Sequence, residues 1–204
     1  MKFKSFIVFI LITLIIFLIY IFNIDKKIYY VNITEEDVKY NNYIKNKLND
    51  SSKLEKYINY NNKNYRVTDL INDINNNKKI DNINIQNALI KADLLTIKIG
   101  ANELNYKANS TNLTKLYEYT DEFIKDIEQL FTLLRKYDKE KIFFIGIYNS
   151  NSTYLDEVYK YINLKIQDLC MEYDIYYIEN NNLKHDRENL KVGEKVLKYL
   201  HLKI

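Results

Sequence analysis

Runs of apolar residues with the character of buried strands alternate along this chain with long segments of helical periodicity. The run Leu94–Ile99 contains only Thr96 and Lys98 as polar residues, and Lys141–Ile147 is similarly apolar. Such runs are typical of strands that are covered on both faces. Between them, Leu113–Tyr137 carries apolar residues at helical spacing along one face. This alternation predicts an α/β fold, with a parallel sheet and helices on both of its faces.

Further strands and helices are predicted on either side of this central pattern. Thr34 is expected to N-cap a helix that carries Ile44 and Leu48, and a polar loop is expected before Leu113. The other predicted strands are Ile28–Ile33, Leu54–Tyr60 and Ile175–Ile178, and the other predicted helices are a short one from Thr68, Ile83–Lys91, Tyr154–Tyr173 and Gly193–Leu200.

The N-terminal segment Ser5–Ile24 is apolar except for Ser, Thr, Tyr and Asn side chains. About 20 such residues match the hydrocarbon thickness of a bilayer. The apolar stretch is longer than the core of a cleaved signal peptide, and no small-residue cleavage site follows it. The segment therefore predicts an uncleaved, single-pass anchor in the cell membrane. The predicted organisation is a cytoplasmic tip at residues 1–4, the anchor at 5–24, a short linker at 25–27 and an extracytoplasmic domain at 28–204.

Charge and cysteine content narrow the range of partners. The net charge is +3, and the lysines are dispersed among acidic residues, so no basic stripe indicates nucleic acid. Cys170 is the single cysteine, which excludes an internal disulfide and a zinc cluster of cysteines. Its apolar, helical surroundings favour a place in the core. The sequence predicts no metal and no cofactor, and a monomer is the default expectation.

The strand Leu94–Ile99 ends in a polar turn that contains Gly100 and Asn102. In open α/β sheets, ligands bind at the carboxyl ends of the strands. Asn102 would therefore present a side-chain amide where a ligand is expected. The alternative interpretation is an ordinary strand-to-helix turn, because Gly and Asn are common turn residues.

Four local strings together resemble the SGNH (GDSL-type) hydrolase family. Lys91–Leu104 resembles the family's third block, a strand that ends in Gly-x-Asn-Asp, and Asn64–Asp73 resembles the second block. Lys141–Asn149 is similar to the strand that follows, and His185–Gly193 occupies the place of the family's Asp, His and downstream Gly. The resemblance covers nearly all of Ile28–Leu200 and implies a three-layer, flavodoxin-like fold.

The resemblance also implies a chemistry. In this family a Ser after the first strand attacks an ester carbonyl, a His near the C-terminus takes its proton, and an Asp orients the His. An Asn side chain and backbone N–H groups stabilise the resulting oxyanion. Asn102 and Gly100 fit the third block, with Glu103 in place of its Asp. Asn64 occupies the position of the second-block Gly.

The nucleophile of the family has no counterpart at its position. That position falls on Glu36, preceded by Thr34 and Glu35, and no serine lies nearby. Thr34 is therefore the remaining candidate nucleophile, and a helix N-cap is the alternative role. Glu35, Glu36 and Asp37 together suggest either a metal cluster or an acidic first turn of a helix, which the helix dipole favours.

The C-terminal block is similarly altered. Counting back from Gly193, the family's His position falls on Glu188 and its Asp position on His185. Asp186 lies one residue late, and Asn189 replaces the Pro that usually follows the His. His185 and Asp186 are the candidate base and orienting acid. The alternatives are a surface histidine and an exposed ion pair of Asp186 with the neighbouring arginine.

Two functions follow from this inventory. One is a membrane-anchored pseudoenzyme that binds a cell-envelope component, such as an ester-bearing lipid or envelope glycan, or a partner protein. The other is an active esterase or acylhydrolase that cleaves acyl or acetyl esters of lipid or envelope carbohydrate with a non-standard nucleophile. The loss of a triad member removes most of the rate enhancement, which favours the first.

Overall fold

The computed structural model describes residues 8–15, 17, 26–63, 65–80, 82–110, 112–137, 140–148, 155–180 and 186–200. The strands are β1 Ile28–Thr34, β2 Leu54–Asn61, β3 Lys79–Ile80, β4 Ile83–Asn84, β5 Leu94–Lys98, β6 Lys141–Ile145 and β7 Tyr176–Ile178. The helices are α1 at residues 8–15, α2 Tyr40–Asp50, α3 Val67–Asn75, α4 Ile85–Lys91, α5 Ala101–Ser110, α6 Leu113–Tyr137, α7 Asp156–Glu172 and α8 Asp186–Tyr199.

The central sheet has five parallel strands in the order β2-β1-β5-β6-β7, and β3 and β4 form a separate antiparallel pair. The strand order moves outward in both directions from β1 and β5, as in flavodoxin-like folds. Every one of the five residues of β5 is buried. The predicted parallel sheet is therefore confirmed, and its centre is the apolar run that ends before Gly100.

Alternating residues of each strand pack against helices on opposite faces of the sheet. Tyr30, Leu94 and Phe143 face α2 and α8, whereas Val31 and Leu95 belong to a larger core beneath α3, α4, α6 and α7. This alternation follows from the two-residue period of a strand. The three-layer arrangement of the prediction is thus confirmed, with the thicker helical layer on one side.

Most of the predicted N-terminal anchor, Ser5–Ile24, lies outside the described residues. No helix in the described part of the chain is both long enough and apolar enough to cross a membrane. The apolar side chains of α1 are exposed, with Phe9 at 65% and Val8 at 54%.

Two helices differ from the sequence-based expectation. Residues 101–110 form α5, where a polar loop was expected, and α8 begins at Asp186 instead of Gly193. In α5 the apolar positions Ala101, Leu104 and Ala108 recur at helical spacing and are buried. Three buried apolar residues in a segment of ten are too few to mark a helix from sequence, but they suffice once the rest of the core covers them.

The prediction that Thr34 N-caps the following helix is wrong. Thr34 is the last residue of β1, and α2 begins six residues later at Tyr40. The first N–H groups of α2 instead find a partner from the C-terminal helix. The Asn189 Oδ1 atom accepts hydrogen bonds from the backbone N–H groups of Lys39 at 2.8 Å and Tyr40 at 3.0 Å. The residue that stands in the family's Pro position thus joins α8 to the start of α2.

Candidate functional site

The carboxyl ends of β1, β2 and β5 meet at one edge of the sheet. Thr34 lies opposite Asn61 of β2 on one side and Lys98 of β5 on the other. The residues that follow these three strands form the candidate site, because the carboxyl edge of a parallel sheet is where its ligands bind. Asn102 was expected to present its side-chain amide at this edge.

The Thr34 hydroxyl is directed back into its own turn. Thr34 is fully buried. Its Oγ1 atom lies 3.0 Å from the backbone carbonyl oxygen of Glu36, to which it donates, and 3.3 Å from the backbone nitrogen of the same residue. A nucleophile must face a substrate with a base beside it. In this structure the hydroxyl instead stabilises the chain reversal after β1.

Glu35 occupies the N-terminus of α5 with its own carboxylate. Its Oε1 accepts a hydrogen bond from the Ala101 backbone N–H at 2.7 Å, and its Oε2 accepts one from that of Asn102 at 3.2 Å. Anions are stabilised at this end of a helix by unpaired N–H groups and by the helix dipole. The residue is only 1% exposed. Burial raises the pKa of Glu35, while the positive charge of Lys98 and the N–H groups act in the opposite direction.

Glu36, at the nucleophile's expected position, forms an ion pair with Lys98. The Lys98 ammonium is buried, with a side chain only 4% exposed, whereas the Glu36 side chain is 42% exposed. A lysine at the end of a buried strand needs a countercharge because burying an unpaired ammonium is costly. Glu36 pairs with it directly, and the charge of Lys98 also acts on the nearby Glu35.

Asp37, the last of the three consecutive acidic residues, has a third set of partners. Its carboxylate accepts a hydrogen bond from Asn61 at 2.6 Å and forms an ion pair with Lys63 at 2.9 Å. The hydrogen bond and charge of Lys63, together with Asn61, lower the pKa of Asp37. The three carboxylates thus have three different sets of partners. Among the described residues no group of acidic, His or Cys side chains could hold a metal ion.

The Asn102 amide connects the loops of the site to one another. Its Nδ2 donates to the backbone carbonyl of Lys63 at 2.8 Å and to that of Glu35 at 3.2 Å. A side-chain amide has only two N–H groups, so both are engaged by the protein. Asn102 lies where an oxyanion donor was predicted. To stabilise an anion it would have to release one of these carbonyls.

Gly100 is required by packing and by backbone conformation. Its φ is +106°, and a Cβ there would lie 2.5 Å from the ring of Phe123 in α6. Only glycine adopts this conformation without strain. The close approach of the β5–α5 turn to α6 explains the glycine structurally.

Glu103 and Asp186 both have partners within the fold. Glu103 accepts a hydrogen bond from the Val67 backbone N–H at 3.1 Å, at the start of α3, and one from the Tyr119 hydroxyl. Asp186 forms an exposed ion pair with Lys39 at 2.6 Å, with both side chains 72% exposed. The sequence suggested an ion pair between Asp186 and the arginine next to it, whereas the observed pair with Lys39 joins α8 to the segment before α2.

Asn64 and His185 lie outside the described residues, so their proposed roles stay predictions.

The arrangement can hold charge, but its described residues present no activated nucleophile. The buried lysine and the carboxylates neutralise one another, and the Asn102 amide bonds to backbone. Sequence reasoning missed Lys98, which it treated as a minor interruption of a strand. A single lysine in a run otherwise suited to burial was the available signal, because such a residue needs a partner.

Comparison with known proteins adds evidence at the level of structure. No family model matches the sequence, and no curated protein matches it by sequence. The crystal structure of Axe2, an acetylxylan esterase from Geobacillus stearothermophilus, is 13% identical, with a TM-score of 0.60 over 86% of this chain and 82% of that one. The crystal structure of the acetyl xylan esterase AlAXEase is 14% identical, with a TM-score of 0.61 over 84% and 98%.

These similarities agree with the local strings on which the family resemblance was based. The Axe2 esterases have the SGNH-hydrolase fold, and similarity at this level of identity establishes fold alone. The five-stranded order and the helices on both faces agree with it. The chain described here therefore has the fold of the SGNH/GDSL-type hydrolases.

Proposed function

We propose that this protein is a membrane-anchored, extracytoplasmic pseudoenzyme of the SGNH/GDSL-type hydrolase family that binds a cell-envelope component or partner protein without hydrolysing it. The observation that supports the proposal most directly is the Glu36–Lys98 ion pair, because it occupies the nucleophile's expected position. A carboxylate held by a buried ammonium is a poor replacement for an activated hydroxyl.

The state of the neighbouring groups supports the same conclusion. The Thr34 hydroxyl bonds to its own turn, and the Asn102 amide donates to two backbone carbonyls. Catalysis by the alternative route would need a freed Thr34 hydroxyl, with His185 as base and Asp186 as its orienting acid. The competing function is an active esterase that cleaves acyl or acetyl esters of lipid or envelope carbohydrate. The structural similarity to acetylxylan esterases supports this alternative.

Hydrolysis of p-nitrophenyl acetate by the full-length protein in detergent tests the proposal. We expect no turnover above the background rate, and no difference between the natural protein and the Thr34→Ala and Asn102→Ala variants. Turnover that disappears in both variants would establish the active esterase instead. The matched control is Thr132→Ala, which removes a threonine hydroxyl on α6 that bonds to Tyr173, away from this edge.

The anchor is supported by the length of the apolar segment and by the exposed apolar side chains of α1. Membranes that contain the protein can be washed with alkaline carbonate. We expect the natural chain to stay with the lipid and an Ile12→Lys/Leu14→Lys variant to be released. Release of the natural chain would overturn the anchoring.

A further inference from the structure

A concave region lies beside β7 and the residues that follow β6 and β7. Strand β7 is at one end of the strand order. A cavity of about 1160 Å³ runs beside it between α7 and α8. Small-molecule pockets typically measure about 300–1,000 Å³, so this one has room for an extended ligand. Its lining includes Tyr177, Glu179 and Asn180 from β7 and the residues after it.

Three lysines on the two helical walls give this cavity its positive charge. Lys160 lies on α7, and Lys195 and Lys198 lie on α8; all three are exposed and line the cavity. The ion pairs between described residues include none of them. The described acidic lining consists of Asp156 and Glu179. The lysines are therefore available to an anionic ligand, in contrast to the internally paired Lys98.

The remaining lining combines aromatic rings with fixed amides. Tyr177 and Tyr199 contribute rings from β7 and α8. The Asn163 amide is held on both sides by Ile147, accepting from its N–H at 2.9 Å and donating to its carbonyl at 2.6 Å. Tyr159 donates to Asn105 of α5 at 2.6 Å. These bonds make a preformed wall, which lowers the entropic cost of binding.

We propose that this cavity binds an acidic oligosaccharide, a glycan chain whose sugar units carry negative charge. Lysine ammonium groups on both walls can pair with the anionic groups of the glycan. Tyrosine rings provide apolar faces against which sugar rings can pack. The exposed Gln167 amide can form hydrogen bonds with sugar hydroxyls. This inference deepens the proposed binding function and rests on it, because it identifies the class of envelope component and the surface that holds it.

An acidic peptide is the competing ligand, since an edge strand can accept a further strand. Strand β7 is only three residues long, and short edge strands are poor templates for such pairing. The polar and aromatic side chains of α7 and α8 supply most of the lining. The structure therefore favours a glycan held by side chains over a peptide held by backbone hydrogen bonds.

The test uses the full-length protein in a non-ionic detergent and measures binding of end-labelled hexagalacturonate by fluorescence anisotropy. Neutral maltohexaose and a hexaglutamate peptide serve as comparison ligands. We expect saturable binding of hexagalacturonate that weakens with added salt. Reversal of two charges in Lys195→Glu/Lys198→Glu should weaken binding at least about tenfold, because attraction becomes repulsion. Lys160→Gln, on the opposite wall, should weaken it by about threefold.

The control variant Lys125→Glu/Lys165→Glu makes the same charge change at exposed lysines outside the cavity, and its affinity should stay within about twofold of the natural protein. Equal weakening by the control, absence of saturable binding, or equal affinity for maltohexaose or hexaglutamate would each overturn the proposal. Ester hydrolysis is measured separately. Turnover without glycan binding would overturn both proposals, whereas absence of both turnover and glycan binding would overturn only this one.

Discussion

Two regions of this molecule, the carboxyl ends of β1 and β5 and the cavity beside β7, use similar residues in opposite ways. At the ends of β1 and β5, Glu35, Lys98 and Asn102 direct their polar groups to other parts of the same protein. Beside β7, Lys160, Lys195 and Lys198 face an open cavity and form no ion pair with any other described residue. The first region resembles a catalytic site in its motifs, but the second has the unoccupied donors that a ligand needs.

The difference teaches that polar residues at a ligand-binding edge do not by themselves make a ligand site. A donor that already bonds to the protein gains little from a ligand, because one hydrogen bond is exchanged for another. Substitutions at the ends of β1 and β5 should therefore change stability, whereas those beside β7 should change binding alone. The four predictions below test this contrast.

Gly100→Ala should have the largest effect on stability. We expect the free energy of unfolding to fall by about 2–4 kcal/mol, because the new Cβ combines an unfavourable positive φ with a collision against Phe123. Urea denaturation measures the change. Adding Phe123→Leu should recover the steric part of the loss. A Gly100→Ala protein as stable as the natural one would contradict the tight packing of this turn.

Lys98→Met should lower the free energy of unfolding by about 2–3 kcal/mol, because it removes the buried countercharge of Glu36 and the positive charge that favours ionised Glu35. Exposed Lys56→Met in β2 provides the control, and it should change stability by less than about 0.5 kcal/mol. Equal effects of the two variants in thermal or urea unfolding would show that Lys98 has no stabilising role.

Glu35→Gln should change the pH dependence of stability. Burial raises the pKa of Glu35 above its ordinary value of 4.5, so the folded protein holds a proton in a pH range where the unfolded chain has lost it. The free energy of unfolding therefore falls as the pH rises through that range. The glutamine cannot titrate, and its curve should be flatter there. At neutral pH the variant also loses one acceptor at the start of α5, a cost of about 1 kcal/mol. An unchanged pH profile would exclude a shifted Glu35.

Neutralising the cavity should have the smallest effect on stability. In Lys160→Gln/Lys195→Gln/Lys198→Gln, we expect the free energy of unfolding to change by less than about 0.5 kcal/mol, because these exposed side chains have no ion-pair partner among the described residues. Urea denaturation beside Lys98→Met gives the direct comparison. If the free energy of unfolding fell as much as in Lys98→Met, the lysines of the cavity would also stabilise the fold.

The central strands and the long helix were predictable from the sequence because their patterns are strong. The predicted helix Leu113–Tyr137 has the bounds that the structure shows, and Ile28–Ile33 and Leu54–Tyr60 each end within one residue of β1 and β2. The helix and β1 bury enough apolar surface for their pattern alone to mark them, whereas β2 mixes apolar with polar residues and buries only Ile58 and Tyr60 of its eight residues. Weak segments were missed, as at α5 and the first turns of α8, because their stability comes from contacts with other elements.

The place of Gly100 and Asn102 at the carboxyl end of β5 was predictable, whereas the hydrogen bonds of the polar groups there were not. Gly100 and Asn102 mark the end of β5 in the sequence, and both lie there in the structure. Whether the Asn102 amide is available depends on the carbonyls of Glu35 and Lys63. Lys63 is 39 residues from Asn102 in the chain. The sequence gives no sign that these two residues meet in space.

The sequence by itself determined the parallel α/β architecture and the edge at which polar groups gather, because the spacing of apolar residues fixes which faces are buried. Only the tertiary structure decided that Glu36 pairs with Lys98, that Glu35 occupies the start of α5, and that α7 and α8 leave an open cavity beside β7. The physical reason is that pairing and exposure depend on which segments meet in space. Hydrophobic periodicity records burial for each segment separately, but it carries no information about the partner of a polar group.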